Sequence, residues 1–555
     1  MKLKRILTIF LAGAALTSFA QTHKDGEEYY KADQLDNAKD LLLRSLNNPQ
    51  TDKSVSDYYL GMIAVEEGKK SDAANYFSQG VAANPDYAYN YVGQGLLQLL
   101  SGDQKGAENL FKEAQKHAKK DAALEIAIAR AYDFVDPVKY EKQITKQVEK
   151  ARKTNMQNPD IYIFEGDQFK EQVKSSDQAL ANSLIGKAAG MYEMATSYDP
   201  NATAAYVKYA NLFTMVNPDY AIKMLNNLLS VNPNSALGQR ELANAYYNKK
   251  DYANAAKQYG KYVQNPSHFK SDENRYAFLL FYGGDFNKGY DYATQLLAEN
   301  PNNFTAERYQ FMNAAQIPSM KDQLLPMAEA LYANHKKNPK ENKFAAIDYT
   351  LIASELQSAG RVDDAIGVIQ EGIKELPDNA QFHKDLAAIY VDQNDLAKSA
   401  DAYQDYLNMV EQPGYNDLVQ QAIYAYYGGA QNLQADPAKS AKYLEMSAKY
   451  AQMASDMAPN QYKPVLILGD IDIASAPNDE ARKSAGFDNY SKAIVLLENS
   501  ADPSKYTSDA KKIYSYLGNY YIEQNDVAKA KEYFNKYLQL APDDTAVRDY
   551  INKLK

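Results

Sequence analysis

The sequence predicts an all-α solenoid of about fourteen helix pairs. Three observations predict it. Gly61, Ala73 and Phe77 recur 34 residues later as Gly95, Ala107 and Phe111, and a fixed period of this size marks stacked structural repeats. Each copy carries its own punctuation: Gly68 and Gly102-Asp103 supply a helix stop and a capping residue, and Pro85 closes the first copy. No segment shows the two-residue alternation of a strand, and no gap is long enough for a second kind of domain.

The spacing has a physical cause. Two helices of a pair cross closely, so the residues at the crossing must be small. An aromatic residue one turn beyond the alanine fills the wider gap beside it. Residues four apart share a helix face, so Ala73 and Phe77 point the same way.

The chain in order begins with a degenerate pair: Gly26 and Tyr29, then Ala38 and Leu42, ended by Pro49. Two regular pairs run from Val55 to Lys119. Ala129 and Tyr132 open the next, which Asp136-Pro137 interrupts, and a Lys-rich helix from Tyr140 to Lys153 takes the second place. Tyr162 and Gly166 start a pair whose second helix (Ala188, Tyr192, Ala195) arrives late, so an extension is expected around Lys170 to Asp177. Tyr206, Ala210 and Ala221 restore the rhythm. Leu242-Ala243, Tyr246, Ala255 and Tyr259 form the best later copy, and Ala277, Gly284-Asp285 and Gly289 a looser one. Pro318 and Pro326 are expected to break the helical stretch from Ala306 to Pro339. Ala353, Ala365 and Ile369, then Ala387, Ser399 and Tyr403, again lie 34 apart. Gln412-Pro413-Gly414 is a second break. A long pair follows from Asp417 to Pro459, its turn expected at Gly428-Gly429 and Asp436-Pro437. Gly469 opens a pair with a polar insertion from Ser475 to Ser484. Leu517-Gly518, Tyr521, Ala530 and Phe534 close the row, and Asp544 caps a last helix that hides its end.

These residues resemble the tetratricopeptide repeat (TPR), two antiparallel helices per unit, over nearly all of residues 26–555. The resemblance implies a right-handed α-solenoid of about fourteen TPR-like helix pairs. It also implies a concave face that binds extended peptides or partner domains. The organisation expected is a signal peptide at 1–20, an N-terminal TPR array at 21–312, an irregular helical hinge region at 313–344, and a C-terminal TPR array with a capping helix at 345–555.

Lys2, Lys4 and Arg5, an apolar stretch from Ile6 to Leu16, and Ser18-Phe19-Ala20 before Gln21 read as a secretory signal peptide. The apolar stretch is short of the ~20 residues a spanning helix needs. The chain has no Cys, so no lipid-anchoring cysteine follows the signal, and disulfides and thiolate metal sites are excluded. The expected address is an exported, soluble periplasmic protein that is not a lipoprotein. The net charge of −10 is not that of a nucleic-acid binder.

No catalytic constellation is legible. The five histidines, His23, His117, His268, His335 and His383, lack metal-ligand spacing and read as isolated surface residues. Gly93-Gln94-Gly95 lacks the third glycine and the preceding strand of a nucleotide loop. Asp470 and Asp472 lack the remaining ligands of a calcium loop. Neither enzyme activity, nor a cofactor, nor a metal is expected.

The composition is rich in tyrosine, with 47 Tyr against 18 Phe and no Trp. Tyr132, Tyr192, Tyr246, Tyr259, Tyr403 and Tyr521 fall on the aromatic packing positions. Tyr58, Tyr247 and Tyr516 fall on groove positions, where a tyrosine offers area and a hydroxyl. Asn211, Arg240, Asn244, Tyr247 and Arg275 are the expected peptide-binding residues. Asn can bond an extended backbone and Arg can hold a carboxylate at two points. The set partly resembles the carboxylate clamp of chaperone-binding TPR proteins; Val207 stands where its preceding basic residue would be. The function expected is a non-enzymatic scaffold of the cell envelope that binds a peptide or protein, with no nucleic acid. The alternative is glycan binding, as in outer-membrane starch-binding lipoproteins with TPR-like helices. This chain departs from those in lacking both the anchoring Cys and any Trp. A peptidoglycan lytic enzyme would need a separate catalytic domain, and no segment is left for one.

Overall fold

The structure, a computed structural model, describes residues 22–173, 177–475 and 480–554. The expected signal peptide lies outside them, as does part of the insertion after Ser475. Every regular element among the described residues is helical. They fall into two compact units that divide between Ile317 and Pro318, inside the 313–344 stretch.

Unit 1 begins with α1 (His23–Lys31), α2 (Leu35–Ser45), α3 (Lys53–Glu66) and α4 (Lys70–Ala83). It continues with α5 (Tyr89–Leu100), α6 (Gln104–His117), α7 (Ala122–Val135) and α8 (Glu141–Thr154). Next come α9 (Pro159–Glu171), α10 (Gln178–Tyr198), α11 (Thr203–Phe213) and α12 (Pro218–Val231). It ends with α13 (Ala236–Asn248), α14 (Tyr252–Tyr262), α15 (Lys270–Tyr282), α16 (Phe286–Glu299) and α17 (Phe304–Ala314). Unit 2 holds α18 (Lys321–Lys337), α19 (Ala346–Ser358), α20 (Val362–Glu375), α21 (Gln381–Asp392), α22 (Leu396–Met409) and α23 (Tyr415–Ala430). It closes with α24 (Pro437–Met457), α25 (Tyr462–Ser475), α26 (Glu480–Glu498), α27 (Thr507–Glu523), α28 (Val527–Leu540) and α29 (Thr545–Lys553). Each odd helix up to α15 packs on the even helix after it, and the odd helices α1 to α9 pack in series. This is the stacked-pair arrangement of a solenoid.

The glycine-to-aromatic spacing now has a direct explanation. A Cβ placed on Gly61 would stand 2.4 Å from the Phe77 ring, and one on Gly95 would stand 2.4 Å from Phe111. The same relation holds for Gly166 with Tyr192 and Gly518 with Phe534. The aromatic ring of the second helix rests on the bare Cα of the first, so any side chain there would displace it. Ala73 and Ala107 are fully buried beside it.

The turns within pairs also repeat. Asp33, Gly68, Gly102, Lys250, Gly284, Gly360, Asn394 and Asn525 all adopt positive φ. Glycine takes that conformation without steric cost. An aspartate follows several of these positions, and its carboxylate accepts a backbone N–H of the new helix: Asp103 from Gly106, Asp395 from Lys398, Asp526 from Lys529. These caps satisfy otherwise unpaired donors at the helix start.

Two expectations are corrected. Pro326 does not break the helix: it lies in the second turn of α18, which runs through it. A proline so near the start sacrifices a single backbone hydrogen bond. Gly428-Gly429 do not form the turn either. They belong to α23, where a Cβ on Gly428 would stand 3.0 Å from the Ala397 Cα. Close backbone approach, not a reversal, explains them.

The aromatic positions Tyr132, Tyr192, Tyr259 and Tyr403 are buried, while Tyr246 and Tyr521 are half-buried. Asp544 caps α29 through the Val547 N–H, and Tyr550 of that helix packs edge-on against Phe534. Among the described residues no helix is long and apolar enough to cross a membrane.

Candidate binding surface of the N-terminal unit

Helix α1 has two sets of neighbours. It packs on α2 and α3, as its place in the row requires, and also on α11 and α13. The row of first helices therefore curves back on α1 within unit 1.

The contacts across that closure are mostly polar. The Glu28 carboxylate accepts from Thr203 Oγ1 at 3.1 Å, Ser235 Oγ at 3.1 Å and Asn232 Nδ2 at 3.4 Å. Its partners are all neutral. Burial pushes the Glu28 carboxyl up to about 7, against the lowering effect of the Ser235 and Thr203 hydroxyls. Lys208, only 3% exposed at its side chain, reaches Asp33 at 2.6 Å and Asp167 at 3.0 Å. Arg130 of α7 also holds Asp167, at 2.9 Å. Burial acts to raise Asp167, but Arg130 and Lys208 outweigh it and hold the carboxyl below its usual range. Tyr29 packs edge-on against Phe269, ring centroids 5.5 Å apart, and Arg44 and Arg240 stand over the same Phe269 ring.

The expected binding residues divide in this setting. Arg240 donates to Asp272 at 2.7 Å and to Gln34 Oε1 at 3.3 Å. Gln34, just after α1, also donates to Glu241 at 2.8 Å. The Arg240 guanidinium thus faces a segment of its own chain. Asn244, half-buried, donates to Glu241 at 3.4 Å. Tyr247 and Arg275 meet across α13 and α15, the guanidinium 4.9 Å from the ring centroid. Asn211 is exposed on α11.

A chain of tyrosines lies beside α1. Tyr30 packs on Tyr59, Tyr59 on Tyr58, Tyr58 on Tyr89, and Tyr89 stacks on Tyr87 at 5.2 Å. Their hydroxyls reach carboxylates: Tyr59 donates to Glu27 at 2.9 Å and Tyr89 to Asp121 at 3.1 Å. Of the three tyrosines expected in a groove, Tyr58 is buried in this chain. Tyr247 keeps part of its surface, and Tyr516 packs against Tyr490 at 4.6 Å.

Sequence reasoning passed over Glu28, Arg130 and Lys208. A signal existed for two of them. Arg130 and Lys208 are each the one cation of their helix, and the residues on either side of each are apolar and buried. A cation in such a place needs a partner, and that partner must come from another helix.

His335 departs from the expected surface histidine. It is completely buried, stacked on Phe344 at 4.0 Å and aimed at two glutamates. Its sequence neighbours gave no hint, because Glu371 and Glu375 lie two helices on.

The sequence pattern of the tetratricopeptide-repeat family matches residues 58–133, 211–268 and 350–416, and a second pattern of the same repeat matches 511–544. The chain carries tetratricopeptide repeats at those residues. No match is found among curated proteins. Among solved structures, one similar chain is the C-terminal part of a TPR repeat-containing protein from Cytophaga hutchinsonii. It is 15% identical, with a TM-score of 0.41, over 50% of this chain and 98% of that one. Yeast Tom70 is 13% identical, with a TM-score of 0.28, over 96% of this chain and 98% of its own. The Cut9 and Hcn1 complex of the APC/C contains a chain 12% identical, with a TM-score of 0.25, over 90% of this chain and 89% of that one.

Proposed function

We propose that this chain is a non-enzymatic scaffold of the cell envelope, binding extended peptide or protein partners on the first-helix face of unit 1. The observation that supports it most is the seat of α1. That face already holds one helical segment through Glu28, Gln34 and Arg240, by hydrogen bonds that an incoming peptide could reproduce. Arg240, Asn244, Tyr247 and Arg275 continue the same polar and aromatic surface along α13 and α15. Tetratricopeptide repeats are surfaces for such recognition, and their two-helix units build an extended face. Export is supported by the basic start and apolar stretch of residues 1–20.

The test is a crosslinked pull-down from envelope fractions with the full chain as bait. Partners captured by the wild type should be lost from an Arg240→Ala, Asn244→Ala double variant whose helical circular dichroism is unchanged. Equal capture by both would place binding elsewhere on the repeats.

A further inference from the structure

The surroundings of His335 in unit 2 are built from three helices. Its Nδ1 lies 2.7 Å from the Asn342 carbonyl oxygen. A carbonyl can only accept, so Nδ1 donates there and Nε2 is the ring nitrogen left to face the glutamates. The groups facing Nε2 are oxygens: Tyr349 Oη at 3.2 Å, Glu375 Oε1 at 3.6 Å and Glu371 Oε1 at 4.0 Å. The Tyr349 hydroxyl has one proton, and it serves Glu375 Oε2 at 2.8 Å. Nε2 and two carboxylates therefore converge at a histidine that is 0% exposed, with the Lys336 ammonium on Glu371 Oε1 at 2.7 Å beside them. Glu371 and Glu375 are four apart on α20, so one helix face supplies both carboxylates.

We propose that His335, Glu371 and Glu375 bind a divalent transition metal, zinc in the first instance, which ties α18 to α20. One ligand atom from each residue lies within 4.8 Å of the other two. A tetrahedral zinc ion with ligands near 2.0–2.1 Å needs neighbouring donors about 3.3 Å apart. The two measured nitrogen-to-oxygen separations exceed that by a fraction of an ångström, within the reach of a glutamate rotamer. The outer shell has the form metal-binding histidines require: a backbone carbonyl fixes the far ring nitrogen and tyrosines hold the carboxylates. Tyr332 donates to Glu371 Oε2 at 2.5 Å, and Lys336 donates to Glu371 Oε1 at 2.7 Å. Imidazole with carboxylates selects zinc and its neighbours over calcium or magnesium. Glu371 also lines an open cleft with Tyr332, Ile352 and Arg361, which gives the ion a route in. Lys336 is the built-in competitor, since its ammonium occupies the oxygen the metal would use.

The experiment is calorimetric titration of the chelator-treated full chain with zinc chloride, paired with the visible spectrum of the cobalt-substituted protein. One zinc per chain is expected at this site, with cobalt bands of a four- or five-coordinate centre. Glu375→Gln, a partly exposed isostere that should leave folding intact, should weaken binding by at least the roughly 10–100-fold that loss of an outer-shell partner alone causes. Lys336→Ala should tighten it. The control His383→Ala should change nothing. If no stoichiometric zinc binds, or if binding is the same in Glu375→Gln, the site is overturned, and His335 is a structural histidine packed on Phe344.

Discussion

The pairs α3 to α6 and the seat of α1 are held by different contacts. In α3 to α6 an aromatic ring lies on a glycine of its own pair, and everything that matters is within one repeat length. At the seat of α1 the partners are a carboxylate and hydroxyls, and a lysine and an aspartate, brought together from residues 175 or 207 positions apart. The first kind of contact is apolar, dense and repeated. The second is polar, occurs once, and depends on how far unit 1 curves. Apolar packing between neighbours stabilises each pair almost independently of the rest. Polar closure adds little net stability but penalises any arrangement that leaves a charge buried without its partner. The repeats therefore make the row, and the α1 seat selects one curvature of it.

The contrast can be broken at its strongest point first. Phe111→Ala should cost roughly 3–5 kcal/mol through the cavity over Gly95. Denaturant unfolding followed by amide exchange should place the loss in α5 and α6, leaving α1 protected only as far as those helices support it. Lys208→Met is the matching change at the seat. It removes two ion-pair partners at once, and a hydrogen bond to a charged group contributes about 1.5–3 kcal/mol. Exchange should accelerate in α1 and around Asp33 while α5 and α6 stay protected. Acceleration spread evenly over unit 1 would mean the two regions are not separable. Ala107→Leu should cost about 1–3 kcal/mol by overpacking a residue that is fully buried. A melt unchanged from wild type would contradict the crossing assigned to Ala107.

The smallest expected signal is a change of slope. The Glu28 carboxyl is raised from 4.5 to about 7 in the folded chain. Its protonated form is thus favoured by folding, so its contribution is fully present below pH 4.5 and lost as pH rises through about 7. Docking of α1, read by its exchange protection, should weaken over that window. Glu28→Gln keeps the donors to its oxygen satisfied without the charge, and should remove the dependence. A slope equal to wild type in the variant would show that another group carries it.

Sequence periodicity reached the core of the fold through Gly61, Ala73, Phe77 and their copies, because each is explained by a neighbour in the same pair. It failed at Pro326 and at Gly428-Gly429. There one residue type serves two purposes: proline both stops and starts helices, and glycine both turns the chain and admits a close neighbour. The expected binding set was legible as a helix face, since Arg240, Asn244 and Tyr247 follow from spacing alone. That Arg240 would meet Gln34 was not, because no local rule relates residues 206 positions apart.

What the sequence by itself determined is therefore the unit: two helices, a left-handed turn residue, a capping aspartate, and a ring seated on a glycine. These depend on short-range sterics and hydrogen bonds, which residue identity and spacing largely dictate. What only the tertiary structure decided is which units meet out of order: Glu28 with Ser235, and Lys208 with Asp33. Those meetings depend on small rotations between successive pairs summed over several repeats. A change in each accumulates along the row, and no single residue encodes the sum.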